Sequence, residues 1–118
     1  DNLVGKTTFK GLCSLIKNSK AVLANDNGIS HLSRFFQKPN VTVYTFSDSR
    51  EYLWGQHSLG IQYREYDCMP CVSGDVRYPK DNVPPRCNYG YRCTKTLKSS
   101  EVIRALLSLV NKSKRAPD

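Results

Sequence analysis

Apolar residues recur at helical spacing from Thr7 or Thr8 to about Asn18, where Phe9, Leu12, Cys13, Leu15 and Ile16 share one face and a threonine is available as N-cap. This predicts an amphipathic helix with Cys13 on its buried side. Ala21 to Ala24, bounded by Lys20 and Asn25, is a short apolar run of the length expected for a buried parallel strand. Ile29, Leu32, Phe35 and Phe36 then repeat at helical intervals until "QKPN", where the residue before Pro39 is pushed out of the helical region. Val41 to Phe46, "VTVYTF", is β-branched and aromatic and reads as a second buried strand. Helix, strand, helix and strand in this order imply a right-handed crossover and a parallel sheet, an α/β fold.

After Phe46 the pattern turns polar through "SDSREYLWGQHS", read as a loop, and "LGIQYREY" reads as a further short strand. Cys68 to Cys93 is rich in Pro, Tyr, Gly and Cys without periodicity, which predicts an irregular excursion. A last helix is predicted from Ser99 or Ser100, with Val102, Ile103, Leu106, Leu107 and Val110 on one face. Glu101 near its start and Lys112 and Lys114 near its end suit the helix dipole. The expected organisation is a single domain: a core over 1–66, a Cys-rich region over 67–97, and a helix with a basic tail over 98–118. There are no internal repeats.

Between the first strand and the second helix lies "NDNGISH", Asn25 to His31. In an open parallel sheet ligands sit outside the carboxyl ends of the strands, where loops lead into helix N-termini. A helix N-terminus offers unpaired N–H groups and partial positive charge, so it receives phosphate readily. Gly28 lets an anion approach the main chain, and His31 lies one turn in. The plainer alternative is that Asp26 or Asn27 caps the helix, Gly28 permits the turn and His31 is an ordinary surface or core histidine. In isolation the stretch favours the cap.

Cys68 and Cys71 form C-x2-C, and Cys87 and Cys93 follow as C-x5-C after fifteen intervening residues. Four thiolates in a loop without its own core suit a structural zinc site, although the second spacing is loose; disulfides and free packed thiols are the alternatives. Cys13, on a helix face, reads as a small core residue. Tyr63, Tyr66, Tyr78, Tyr89 and Tyr91, interleaved with Arg64, Arg77, Arg86 and Arg92, are read as packing for the loop-rich region rather than as a base-stacking surface. Trp54 either lines a cleft or covers a sheet edge.

One domain of 118 residues carries a net charge of +8 and a pI near 9.4, which favours anionic partners without choosing among them. The cations are scattered rather than striped, so no nucleic-acid partner is expected. The rival reading, a small basic zinc-binding module contacting nucleic acid, rests on the charge and the four cysteines together. No apolar stretch approaches a membrane span and no leader is apparent, as expected of a cytoplasmic chain. "DNLVGKTT" enters at an apolar pair without an initiating Met, as expected of a fragment of something longer.

Taken in order, "NLVGKT", a helix, "AVLANDNGISHLSRFF" and "KPNVTVYTFSD" resemble the C-terminal domain of family 9 glycosyltransferases, the lipopolysaccharide heptosyltransferases. The resemblance is detailed over Leu3 to about Asp48, and the paired cysteines before a last helix extend it. It implies a Rossmann-like parallel sheet flanked by helices, the donor half of a two-domain enzyme that transfers a sugar from an ADP-heptose-like nucleotide to a lipopolysaccharide-core or similar acceptor. Asp26, Asn27, Gly28 and His31 match the family's D-x-G-x-x-H, which implies contact with diphosphate and sugar. Lys6 and Thr7 match a segment near the base, and Ser47 and Asp48 match the T-D of a G-P-T-D-P loop, here "TFSDS".

The family's catalytic base and acceptor pocket lie in its N-terminal domain, so no catalytic residue is expected in this chain, which alone is expected to be inactive. The implied partners are a nucleotide-diphosphate sugar, a glycan or lipid-linked acceptor and, peripherally, an anionic membrane at the inner face of the cytoplasmic membrane. No cofactor is required for the chemistry.

Overall fold

A computed structural model describes residues 1–45, 47–62 and 89–113, the side chains of residues 51, 52 and 113 excepted. The predicted α/β architecture is present: three parallel strands, β1 (Val22–Asn25), β2 (Asn40–Tyr44) and β3 (Ser58–Gln62), form a sheet in the order β1-β2-β3. Helices α1 (Phe9–Asn18) and α2 (Gly28–Phe35) precede β1 and β2. The short α3 (Ser49–Tyr52) precedes β3, and α4 (Arg92–Lys95) and α5 (Ser99–Ser113) close the chain. The "SDSREYLWGQHS" stretch, expected as loop, thus contains one helical turn, which Asp48 caps by accepting from the Arg50 N–H at 2.8 Å. Of the Cys-rich region only its end is described, and there Cys93 lies in α4.

Helix α1 starts as its sequence requires, with the Thr8 hydroxyl accepting from the Gly11 N–H. Helix α2 ends in a Schellman arrangement: the Lys38 N–H donates to the Ser33 carbonyl and the Gln37 N–H to the Arg34 carbonyl. Gln37 takes the left-handed position at φ 54° that glycine usually fills, and Pro39 follows.

The central strand, "NVTVY", alternates strictly, and the alternation divides the fold. Val41 and Val43 face α5, where Val41 is buried with Val102 and Leu109, and Val43, Ile61, Leu97, Ala105 and Leu106 pack around them. The buried stripe of α5 is therefore 102, 105, 106 and 109. Ile103 and Leu107, expected on it, are exposed, because 100° per residue turns them away from the stripe once Leu109 is included.

Asn40, Thr42 and Tyr44 face α2, and this side of the core is polar. The buried residues of α2 are Ser30, Ser33 and Arg34, whereas Phe35, expected inside, is 71% exposed. The apolar spacing found only part of the covered surface: Ile29, Leu32 and Phe36 are half-buried, while the residues at 30, 33 and 34 share the same helical periodicity one step around and match the polar face of β2. Asn40 Nδ2 donates to Ser33 Oγ at 2.8 Å, and Thr42 Oγ1 donates to Asn40 Oδ1 at 3.1 Å. Arg34 Nη2 donates to Thr42 Oγ1 and to the Tyr44 hydroxyl, both at 3.0 Å. Hydrogen bonding offsets the desolvation of these groups.

Burial pushes the Tyr44 phenol above its ordinary pKa of 10.0; the Arg34 guanidinium opposes the shift and the nearby Asp26 charge adds to it. Above pH 10 the unfolded chain loses this proton before the folded one. Stability contributed by Tyr44 is thus complete below that pH and declines as pH rises toward the folded pKa. Thermal melts from about pH 8.5 to 11 should show a shallower alkaline decline for Tyr44→Phe than for the parent chain.

Candidate functional site

The sheet positions "NDNGISH" at the carboxyl end of β1. The Asp26 N–H still pairs with the Val43 carbonyl at 3.1 Å, so Asp26 is the last residue anchored to the sheet. Asn27 follows in extended conformation as N-cap, its Oδ1 accepting from the Ile29 N–H at 2.9 Å. Its carbonyl accepts from the Ser30 N–H and hydroxyl, the latter at 2.7 Å. Ser30 and Ser33 are linked in turn, so the start of α2 rests on the buried polar layer.

Gly28 is exposed, and a Cβ built on it would meet nothing within 4 Å. The approach to its main chain is open. His31 is also exposed; its Nδ1 lies 3.4 Å from Arg34 Nη1.

The second half of the site comes from the loop after β2. Ser47 Oγ donates to Asp26 Oδ2 at 2.5 Å, a contact across 21 residues that ties this loop to the turn. Gln62, at the carboxyl end of β3, holds the loop from the other side: its Nε2 donates to the Ser47 carbonyl at 2.5 Å and its Oε1 accepts from the Ser49 N–H at 3.1 Å. Sequence reasoning missed Gln62. Its signal was its place at the end of a parallel strand, the same edge to which the turn and loop belong.

Asp48 is brought beside this cluster but turned inward: its side chain is 4% exposed and pairs with Arg50 Nη2 at 2.6 Å. That pair is half in water, since Arg50 is exposed, so its main effect is to orient the cap of α3. Asp26, Asn27, Gly28 and Ser47 thus form one cluster. Lys6 and Thr7 lie in the exposed lead-in to α1, and among the described residues no hydrogen bond joins them to that cluster.

Gly60 lets α3 lie close on β3. A Cβ there would stand 3.2 Å from Leu53 Cδ2, 3.2 Å from Ser49 Cβ and 3.3 Å from Tyr44 Cε2. The Leu53 methyl can yield, but Ser49 belongs to the clamped loop and Tyr44 to the buried layer. Gly60→Ala should therefore cost about 1 kcal/mol net, crowding outweighing the entropy gained by removing a glycine, as urea unfolding would read.

Cys68, Cys71 and Cys87 lie outside the described residues. Cys13 and Cys93 are half-buried and bridge no described cysteine, and no cluster of metal-binding side chains occurs among the described residues. Tyr89 and Tyr91, expected to pack, are more than half exposed, with the Arg92 guanidinium 4.7 Å above the Tyr89 ring. Among the described residues no helix is long and apolar enough to cross a membrane.

Residues 1–80, which include every residue of the turn and loop, match the sequence pattern of glycosyltransferase family 9 (heptosyltransferase). The chain belongs to glycosyltransferase family 9. Comparison with curated proteins and with solved structures finds no match. Family 9 membership implies a nucleotide-sugar donor and a glycan acceptor. Within it, "SDS" at 47–49 stands where the resemblance called for a Thr-Asp-Pro segment, and here Ser47 supplies a hydroxyl toward Asp26.

Proposed function

We propose that this chain binds the nucleotide-diphosphate donor of a glycosyltransferase, an ADP-heptose-like sugar destined for a lipopolysaccharide-core or similar acceptor. The observation that carries this reading is the Asp26–Ser47 hydrogen bond, which sets the turn beside the loop at the ligand-bearing edge of a parallel sheet. The diphosphate lies at the start of α2, over the open Gly28, where the Gly28 main chain and the helix dipole favour negative charge and the phosphate competes with Asn27 Oδ1 for the Ile29 N–H. His31 adds a donor from the first turn. A carboxylate repels phosphate, so Asp26 serves the sugar instead: one oxygen holds Ser47 and the other accepts from a sugar hydroxyl.

Asp48, occupied in capping α3, supports the loop rather than touching the donor. Lys6 and Thr7 reach the nucleotide base from the lead-in to α1. In the reaction the acceptor hydroxyl attacks the anomeric carbon as the nucleotide diphosphate leaves. The start of α2 stabilises the charge that develops on the leaving group, an interaction that is worth most when its donors are fixed in advance. The base that deprotonates the acceptor comes from outside this chain. The charge of +8 supports a peripheral contact with an anionic membrane at the inner face of the cytoplasmic membrane, where a lipid-linked acceptor is met.

Calorimetric titration with ADP and ADP-heptose tests the proposal. A saturable heat is expected with both. Asp26→Ala should weaken ADP-heptose by about tenfold, the loss of a hydrogen bond to a charged group, and ADP much less. Absence of binding by the parent chain, or an Asp26→Ala variant that binds ADP-heptose as well as the parent, would contradict it.

A further inference from the structure

A second concave site lies at the other end of the sheet. A cavity of about 450 Å³ is lined by Arg34, Gln37, Lys38, Trp54, Gln56 and His57 and their neighbours. Asn40 and Ser58 open β2 and β3, and the Asn40 N–H donates to the His57 carbonyl at 2.9 Å. The cavity is therefore at the amino ends of the strands. At about 3.3 Å per residue β2 separates the two edges of the sheet by about 13 Å; Arg34 lines the cavity and also lies 3.4 Å from His31 Nδ1.

Its chemistry is distinct. Among the described residues the lining contains two cations, a histidine and two glutamines, and no Asp or Glu. Trp54 is 49% exposed and has the Arg34 guanidinium 5.7 Å from its ring centroid, while Arg34 itself is 3% exposed. Arg34 thus backs the ring from the protein side and adds positive potential, leaving indole surface open to the cavity. Gln37 occupies a left-handed backbone position at the rim. Glycine would be the easier residue there, and Gln keeps an amide side chain at the mouth.

A flat aromatic surface beside amides accepts the apolar C–H face of a pyranose, and cations without an acidic neighbour accept a phosphate. We propose that this cavity binds a phosphorylated sugar, the ring against Trp54, the phosphate on Lys38 and His57, and the hydroxyls on Gln37 and Gln56. This does not rest on the donor reading of the Gly28 turn. In a chain of this family a second sugar site would hold a glycan at a distance from the donor.

Trp54 is the single tryptophan of the chain, so its fluorescence reports the cavity directly. The 118-residue chain is titrated with glucose 6-phosphate, glucose and inorganic phosphate in parallel. Glucose 6-phosphate should produce a saturable change, weakened as salt rises, and glucose alone should bind about tenfold more weakly, the loss of a charge-assisted contact. Inorganic phosphate should compete with the sugar phosphate. Lys38→Ala, at a half-buried position, and His57→Ala, at an exposed one, should each weaken glucose 6-phosphate several-fold, and Gly28→Val should leave its binding unchanged. The proposal is overturned by an absent or non-saturating response, by equal affinity for glucose and its phosphate, by unaltered binding in the Lys38→Ala/His57→Ala double variant, or by loss of the response in Gly28→Val.

Discussion

Replacing Arg34 with Met should lower the unfolding free energy by about 3 kcal/mol, since it strips a donor from two buried hydroxyls at once. Thr42 Oγ1 and the Tyr44 hydroxyl each receive a bond from Arg34 Nη2, and neither has water to turn to, both residues being buried. Methionine fills much of the volume but offers no hydrogen. Arg34→Lys should recover only part of the loss, because the shorter side chain does not carry its nitrogen to the position of Nη2 and gives up the guanidinium's contact with the Trp54 ring. Urea denaturation of the three proteins is the test. A loss under 0.5 kcal/mol for Arg34→Met would mean that the polar layer between α2 and β2 is not held as described.

Gly28→Val should separate folding from binding. A Cβ at Gly28 meets nothing within 4 Å, and valine is a somewhat better helix former than glycine, so stability should stay within about 0.5 kcal/mol of the parent. ADP affinity should fall at least tenfold, because two methyl groups stand where a phosphate must approach the main chain to reach its N–H donors; each such charge-assisted bond is worth about 1.5 to 3 kcal/mol. A thermal melt and a calorimetric titration on the same preparation measure both. Unchanged affinity with unchanged stability would return the turn to a helix cap and nothing more.

The order of elements and the parallel sheet were legible because β-branched runs and helical spacing are local signals. The helix expected from Thr7 or Thr8 and the strand expected over 41–46, found as Phe9–Asn18 and Asn40–Tyr44, could be placed to within a residue or two without any tertiary information. The orientation of α2 could not. Its apolar residues and its Ser30, Ser33 and Arg34 stripe have the same period, and only the partner surface decides between them. That surface, Asn40, Thr42 and Tyr44, is every second residue of β2 in the sequence, but a strand read as uniformly buried hides its two faces.

The site divides in the same way. The position of Asp26, Asn27 and Gly28, between β1 and the start of α2, was readable because turn chemistry and family motif coincide on adjacent residues. Gln62 was not, since a lone glutamine ending a strand becomes meaningful only when the loop it clamps, 47–49, is known to lie beside it. Asp48 lies in the expected loop, where its carboxylate caps α3. An N-cap and a ligand-binding carboxylate ask for the same residue, and its burial against Arg50 favours the cap.

The most direct test of the central claim, that the start of α2 holds the diphosphate, is a titration of the isotope-labelled chain with ADP followed in amide nitrogen–proton spectra. The account requires the Gly28 and Ile29 amides to shift most and to saturate together, with Ser47 moving less. Saturable shifts confined to other residues, with Gly28 and Ile29 unmoved, would contradict it.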